Sequence, residues 1–317
     1  MTELRLNERA AALCDLLARD PARWRIGVRE APDRPRIIDC GIAVPGGLET
    51  GRALAEICLA GLGRVALVPG AGPLENLVAV TVATDQPVAA ALASQYAGWQ
   101  ISGEKFFAMG SGPMRAAAAK EELFAKIGFT ERPARAVGVL ETRKFPPDEV
   151  SDKIAAACGV PPSALTLLVA PTASPAGMVQ VVARSVETAL HKLVELGFDV
   201  SRIASAFGSA PLPPAAADDL AAIGRTNDAV LYGARVMLWV RGDDDSLRQV
   251  GPQVPSCASA DFGQPFATIF ERYDRDFYKI DPHLFSPAQV MLANLDTGTA
   301  YKFGDVRPDV LARSFGM

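Results

Sequence analysis

The 317-residue chain predicts a mixed α/β protein of the α+β type, built as two units. Three observations carry this. Short β-branched runs alternate with longer runs at helical spacing along the whole length, a pattern that calls for sheets covered by helices. Gly and Pro punctuate the junctions, as turns between such elements require. The chain is also long enough for two ordinary domains, each with a core. Phe145-Pro146-Pro147 reads as the hinge, dividing the chain into residues 1–145 and 146–317.

Taken in order, residues 3–19 place Leu4, Leu6, Ala10, Leu13 and Leu16–Leu17 at helical spacing and predict an amphipathic helix. The segment RIIDCG, residues 36–41, reads as a short strand ending in a turn. Pro45-Gly46-Gly47 leads into a helix over 48–62 that Gly63 stops. Residues 64–68 and 77–84 are β-branched-rich and read as buried strands, and the Ala-rich run 89–97 as a helix. A strand over 106–109 precedes Gly110-Ser111-Gly112-Pro113 and a helix through Ile127. Residues 136–141 form a further strand.

After the hinge, 151–157 reads as a helix, 165–170 as a strand, and a long helix then runs to Gly197. Residues 211–216 are a Pro/Ala loop, 228–240 a strand region, and GDDD from Gly242 an exposed hairpin turn. Pro45-Gly46-Gly47 and Pro175-Ala176-Gly177 each follow a strand and precede a helix. This echo leaves an internal duplication open, and two facing units would set a cleft between them.

Residues 261–315 concentrate aromatics and acids. Phe262, Phe266, Phe270, Tyr273, Phe277, Tyr278, Phe285 and Tyr301 interleave with Asp261, Glu271, Asp274, Asp276, Asp281 and Asp305. The plain reading is a core hairpin plus a solvated helix. The functional reading is a surface for a flat, partly cationic heterocycle, since the ring quadrupole attracts positive charge.

Composition narrows the function. Apolar residues make up 49% and charged residues 21%, a soluble globular profile. The net charge of -4, without a basic stripe, argues against nucleic acid as a partner. The N-terminus is charged from Glu3 and lacks the apolar core of a signal peptide. No apolar run reaches the roughly 18 residues that span a bilayer. The longest, 65–93, is broken at Pro69, Pro73, Asn76 and Asp85. Five dispersed cysteines, never in C-x-x-C spacing, fit reduced thiols in a cytoplasmic protein. Two histidines, His191 and His283, are too few for a His-rich metal site, so proton chemistry falls to carboxylates.

Arg184 and Glu187, three apart in VVARSVETALHKL, share a helix face. Most such pairs are surface ion pairs of little consequence, but Val181, Val182, Val186 and Leu190 surround this one. Apolar surroundings favour a protonated carboxyl and an adjacent guanidinium opposes that, a balance suited to taking and returning a proton. Ser111, a candidate substrate-binding residue, lies in Gly110-Ser111-Gly112, which offers backbone N–H groups to an anion or is a plain tight turn. Lys105 precedes that strand, and Glu141 ends the strand at 136–141, reaching a cleft or capping a loop. His191 lies one turn beyond Glu187. The S-x-x-K spelling at Ser102–Lys105 and the DFG at Asp261–Gly263 lack the companion motifs of their families and carry no weight.

PGGLETGRALAEICLAGLG, GEKFFAMGSGP, ARSVETALHKL and the run DPHLFSPA followed by N-x-x-TG and a final SFG together resemble the methenyltetrahydromethanopterin cyclohydrolases over most of the chain. The resemblance implies two mixed α/β units with a pocket between them, assembled as a homo-oligomer, typically a trimer. It implies reversible hydrolysis of the methenyl bridge of tetrahydromethanopterin to the N5-formyl compound, with no metal and no organic cofactor. The family's catalytic Arg-x-x-Glu falls on Arg184 and Glu187, and Lys105 and Glu141 resemble its pocket-lining polar positions. Two other readings keep part of this: a pterin-binding carrier without catalysis, and a cyclohydrolase for a folate-type carrier.

Overall fold

The computed structural model describes residues 4–72 and 75–317; Glu3, Pro73 and the side chain of Tyr278 lie outside the described residues. In chain order the strands described are β1 (Gly27–Arg29), β2 (Arg36–Asp39), β3 (Gly63–Pro69), β4 (Val78–Thr84), β5 (Trp99–Gly103) and β6 (Phe106–Ser111). They continue with β7 (Ala136–Glu141), β8 (Leu165–Ala170), β9 (Ile203–Pro211), β10 (Arg235–Val240), β11 (Gln289–Asn294) and β12 (Ala300–Gly304). They form two mixed six-stranded sheets, in the orders β1-β2-β8-β7-β6-β5 and β12-β11-β10-β9-β4-β3. With their helices these make the α+β architecture expected.

Each sheet belongs to one compact unit: Met1–Gly63 with Ala89–Gln180, and Arg64–Val88 with Val181–Met317. The chain passes between units at 63/64, 88/89 and 180/181 rather than once at 145/146. The cause is a long-range pairing: β4 joins β9 antiparallel, with Val82 opposite Gly208. No local signal marks such a partnership.

In the first unit the parallel neighbours β2, β8 and β7 form the centre of the sheet. Every residue of β8 is buried, because both faces are covered. Leu168 and Ala170 pack with Cys14 and Leu17 of the helix Leu6–Arg19 and with Leu54 and Ile57 of the helix Leu48–Cys58. Leu165, Leu167 and Val169 face Val150, Ile154 and Cys158 of the helix Asp148–Cys158. A Cβ on Gly51 would lie 2.7 Å from Val179 Cβ, so glycine there lets the helix Leu48–Cys58 close on Pro175–Val182. The Pro-Gly-Gly and Pro-Ala-Gly echo thus joins two parallel neighbours of one sheet rather than equivalent places in two units.

In the second unit one sheet face is buried. Val80, Val82, Ala206, Val236, Leu238, Val290 and Leu292 form it, under the helices Ser185–Glu195 and Asp219–Leu231. The alternate positions Phe207, Met237, Trp239 and Met291 are half-buried or exposed. β11 and β12 are the hairpin of the plain C-terminal reading, with Asn294 and Thr297-Gly298 at its turn.

Several local expectations are corrected. The helix expected through Ile127 is two, Met114–Ala118 and Glu122–Ile127, separated where Ala119 turns left-handed. The long helix to Gly197 breaks at Ala183–Arg184. Residues 228–231 end a helix capped by Asp218 rather than begin a strand, and Asp243 of GDDD caps the helix Asp244–Val250 by accepting the Ser246 N–H. The run 88–95 is wound as a π-helix, with the Tyr96 N–H reaching the Ala91 carbonyl. Among the described residues no helix is long and apolar enough to cross a membrane.

Candidate active site

The break at Ala183–Arg184 makes the site of the second unit. Arg184 leaves the helical conformation and becomes the N-cap of Ser185–Glu195, while Glu187 falls in its first turn. A carboxylate there is favoured by the helix dipole. Arg184 Nη1 lies 4.0 Å from Glu187 Oε2, with the side chains only 8% and 5% exposed. This is an enclosed pair rather than the solvated ion pair that i, i+3 spacing usually produces.

The seat of this turn is Gly208 on β9, which the sequence reading missed. A Cβ added there would lie 2.4 Å from Ser185 Oγ and 2.9 Å from Val186 Cγ2. Glycine therefore lets the first turn press against the strand. Ser185 is fully buried, and among the described residues its hydroxyl has no hydrogen-bond partner. Val186, Ala189, Leu190 and Leu193 complete the buried stripe. Only a partner at contact distance, distant in sequence, reveals why position 208 must be glycine.

The first unit holds the other three residues. Glu141 ends β7, opposite Met109 of β6 and Ala170 of β8, and accepts a hydrogen bond from the Thr172 hydroxyl. Loops after parallel strands are where such sheets present polar groups. Asp39, ending the neighbouring β2, accepts the N–H groups of Gly41, Ile42 and Ala43 at 2.9, 2.7 and 2.8 Å. Lys105 is exposed in the turn between β5 and β6. The loop after Glu141 folds against that turn: Lys144 Nζ donates to the Lys105 carbonyl at 3.0 Å, and the Thr142 hydroxyl to the Phe107 carbonyl at 3.2 Å. Between them lies an open depression of about 380 Å³ lined by Lys105, Phe107, Arg143 and Lys144. The structure thus brings Lys105 beside the segment that follows Glu141.

Ser111 is 1% exposed, and its hydroxyl donates to the Val139 carbonyl at 3.4 Å. The N–H of Gly112 donates to the Ser94 carbonyl at 2.9 Å, and the following helix has five residues. Of the two readings of this glycine turn, the geometry is that of the tight turn.

The aromatic segment also takes its plainer reading. Phe266 stacks on Phe270 and Phe277 with ring centroids 5.5 Å away in each case, and Phe285 meets it edge-on at 5.9 Å. Asp261 accepts the Tyr273 hydroxyl at 3.0 Å and the Asp281 N–H at 3.2 Å. These rings and acids satisfy one another instead of forming an open cradle.

Buried Asp228 ties the segment down. It accepts the Phe266 N–H at 2.8 Å and the Ser314 hydroxyl at 2.5 Å, and burial pushes its carboxyl up to about 7. Among the described residues no group of three or more His, Cys, Asp or Glu side chains is placed to hold a metal ion.

Comparison with known proteins gives one consistent answer. The family described as Cyclohydrolase (MCH) matches residues 5–315. A protein named methenyltetrahydromethanopterin cyclohydrolase from Xanthobacter autotrophicus is 50% identical over 308 residues, covering 96% of this chain and 91% of its own length. Relatives of the same name from Methylobacterium sp. (strain 4-46) and Rhodopirellula baltica are 46% and 47% identical, covering 98% and 92% of this chain.

Proposed function

Because the chain belongs to the cyclohydrolase (MCH) family, we propose that it hydrolyses N5,N10-methenyltetrahydromethanopterin reversibly to the N5-formyl compound, with Glu187 as general base and acid. The observation that carries the mechanism is the enclosed Arg184–Glu187 pair at a helix N-terminus. The bridge carbon of the substrate is amidinium-like and already electrophilic. Water adds to it, and Glu187 takes a water proton as the C–O bond forms. Glu187 returns that proton to N10 as the C–N10 bond breaks. The remaining hydroxyl proton leaves as the formyl C=O forms, so a cation and water become a neutral product and a proton. Such acid–base help is worth roughly 10²–10⁴-fold. Arg184 orients the carboxylate.

The chemistry requires neither metal nor organic cofactor, since no further activation of the carbon is needed. Lys105 and Glu141 supply polar contacts to the substrate. The chain works in the cytoplasm as a homo-oligomer, a trimer by its family resemblance. Its free thiols and the half-exposed apolar face of Phe207, Met237, Trp239 and Met291 support this; light scattering tests the assembly. The catalytic claim is tested by following the near-ultraviolet absorbance of the methenyl substrate with the unmutated chain and with Glu187→Gln. Turnover by Glu187→Gln at the unmutated rate overturns it.

A further inference from the structure

Lys192 lies on the same helix as Glu187, five residues on, and is 2% exposed. At about 100° per residue it sits about 140° around the axis from Glu187, on the side away from it. Its Nζ donates to both His283 Nδ1 and the His283 carbonyl, each at 2.8 Å. Lys192 gives up hydration for these acceptors, so the two hydrogen bonds tie the rotation and height of the helix to His283.

His283 is itself anchored. It belongs to the short turn Pro282–Leu284, whose cap Asp281 accepts the His283 N–H at 2.9 Å and the Ser259 hydroxyl at 2.6 Å. The Asp281 N–H in turn donates to Asp261, which holds the Tyr273 hydroxyl. An unbroken chain of polar contacts therefore runs from the helix of Glu187 into the aromatic segment.

We propose that Lys192 and His283 are positioning residues, a latch through which the C-terminal segment sets the first turn of the helix and hence the Glu187 carboxylate. The inference rests on the reading of Glu187 as the proton-transfer group. Lys192 is faced by His283 and Asp281 from the turn Pro282–Leu284 and its cap, and by Cys257 from the turn Ser256–Ala258. Burial lowers its ammonium to about 8, against the pull of Asp281 and Cys257. Above that pH the latch loses its charge.

The test combines kinetics with amide hydrogen exchange on the full chain. His283 is exposed, so its variants keep the core intact. His283→Phe lowers kcat about 10–100-fold with KM nearly unchanged, and speeds exchange over 185–195 alone. His283→Asn, which places an oxygen acceptor near the position of Nδ1, restores both. The unmutated kcat falls as pH rises past about 8, and Lys192→Gln, which cannot titrate, removes that limb. Unmutated kcat in His283→Phe, faster exchange throughout the second unit, or an alkaline limb untouched by Lys192→Gln overturns the proposal. Absence of turnover in the unmutated chain defeats the functional reading instead, and the exchange comparison then decides the latch alone.

Discussion

Asp228→Asn isolates a pH-dependent contribution to stability. Asp228 is fully buried, and burial outweighs its bonds to Phe266 and Ser314 to hold the folded-state carboxyl at about 7, against 3.8 for the ordinary group. A group raised on folding stabilises fully below its unfolded value, and that contribution is lost as pH rises through the folded one. Ionisation of the folded form costs about 4 kcal/mol in total, of which roughly 2–3 kcal/mol falls between about pH 5 and 7.5. Asp15 and Asp309, both held down at about 2 by arginine partners, are ionised throughout this window and add no slope. Asparagine keeps the oxygen that accepts the Phe266 N–H and donates to Ser314 Oγ, so the variant folds without the titration. The assay is urea unfolding at several pH values, read from Trp239 in the second unit after Trp24 and Trp99 are changed to Phe. The unmutated chain should lose stability relative to Asp228→Asn as pH rises. Parallel pH profiles for the two would refute the reasoning.

Three further outcomes follow from the same geometry. Gly208→Ala drives a Cβ into Ser185 and Val186, costing about 1–3 kcal/mol as overpacking and lowering kcat, checked by urea unfolding and steady-state rates. Lys105→Ala raises KM for the methenyl substrate while kcat changes little, because the residue binds and does not transfer protons; an unchanged KM contradicts its placement. In the native chain an aromatic disulfide reagent should titrate Cys257 rapidly. Cys14, Cys40, Cys58 and Cys158 are buried and should react only after denaturation, with burial pushing Cys14 and Cys158 up to about 12.

What could be read in advance follows from where the information lies. β7 and β8 were legible to the residue because continuous Val, Leu and Ala runs are what strands covered on both faces require. The helix Leu6–Arg19 was legible from its periodicity. β9 was not, since IASAFGSAP is small-residue-rich and acquires strand character only between β10 and β4. The caps Asp218 and Asp243 were local signals that stood in the sequence and were overridden by the hydrophobic run after one and the acidic run at the other. At the site, Arg184 and Glu187 could be chosen from spacing and apolar neighbours. The demand for glycine at 208 and the grip of His283 on Lys192 depend on contacts across 22 to 91 residues, which no local pattern encodes.

The most direct measurement is the decay of methenyltetrahydromethanopterin absorbance with the purified chain, beside Glu187→Gln and a sample treated with chelator. Rapid decay is expected, untouched by chelation and collapsing in Glu187→Gln. A variant that turns over as fast as the unmutated chain would contradict this expectation, and so would decay that stops when metal is removed.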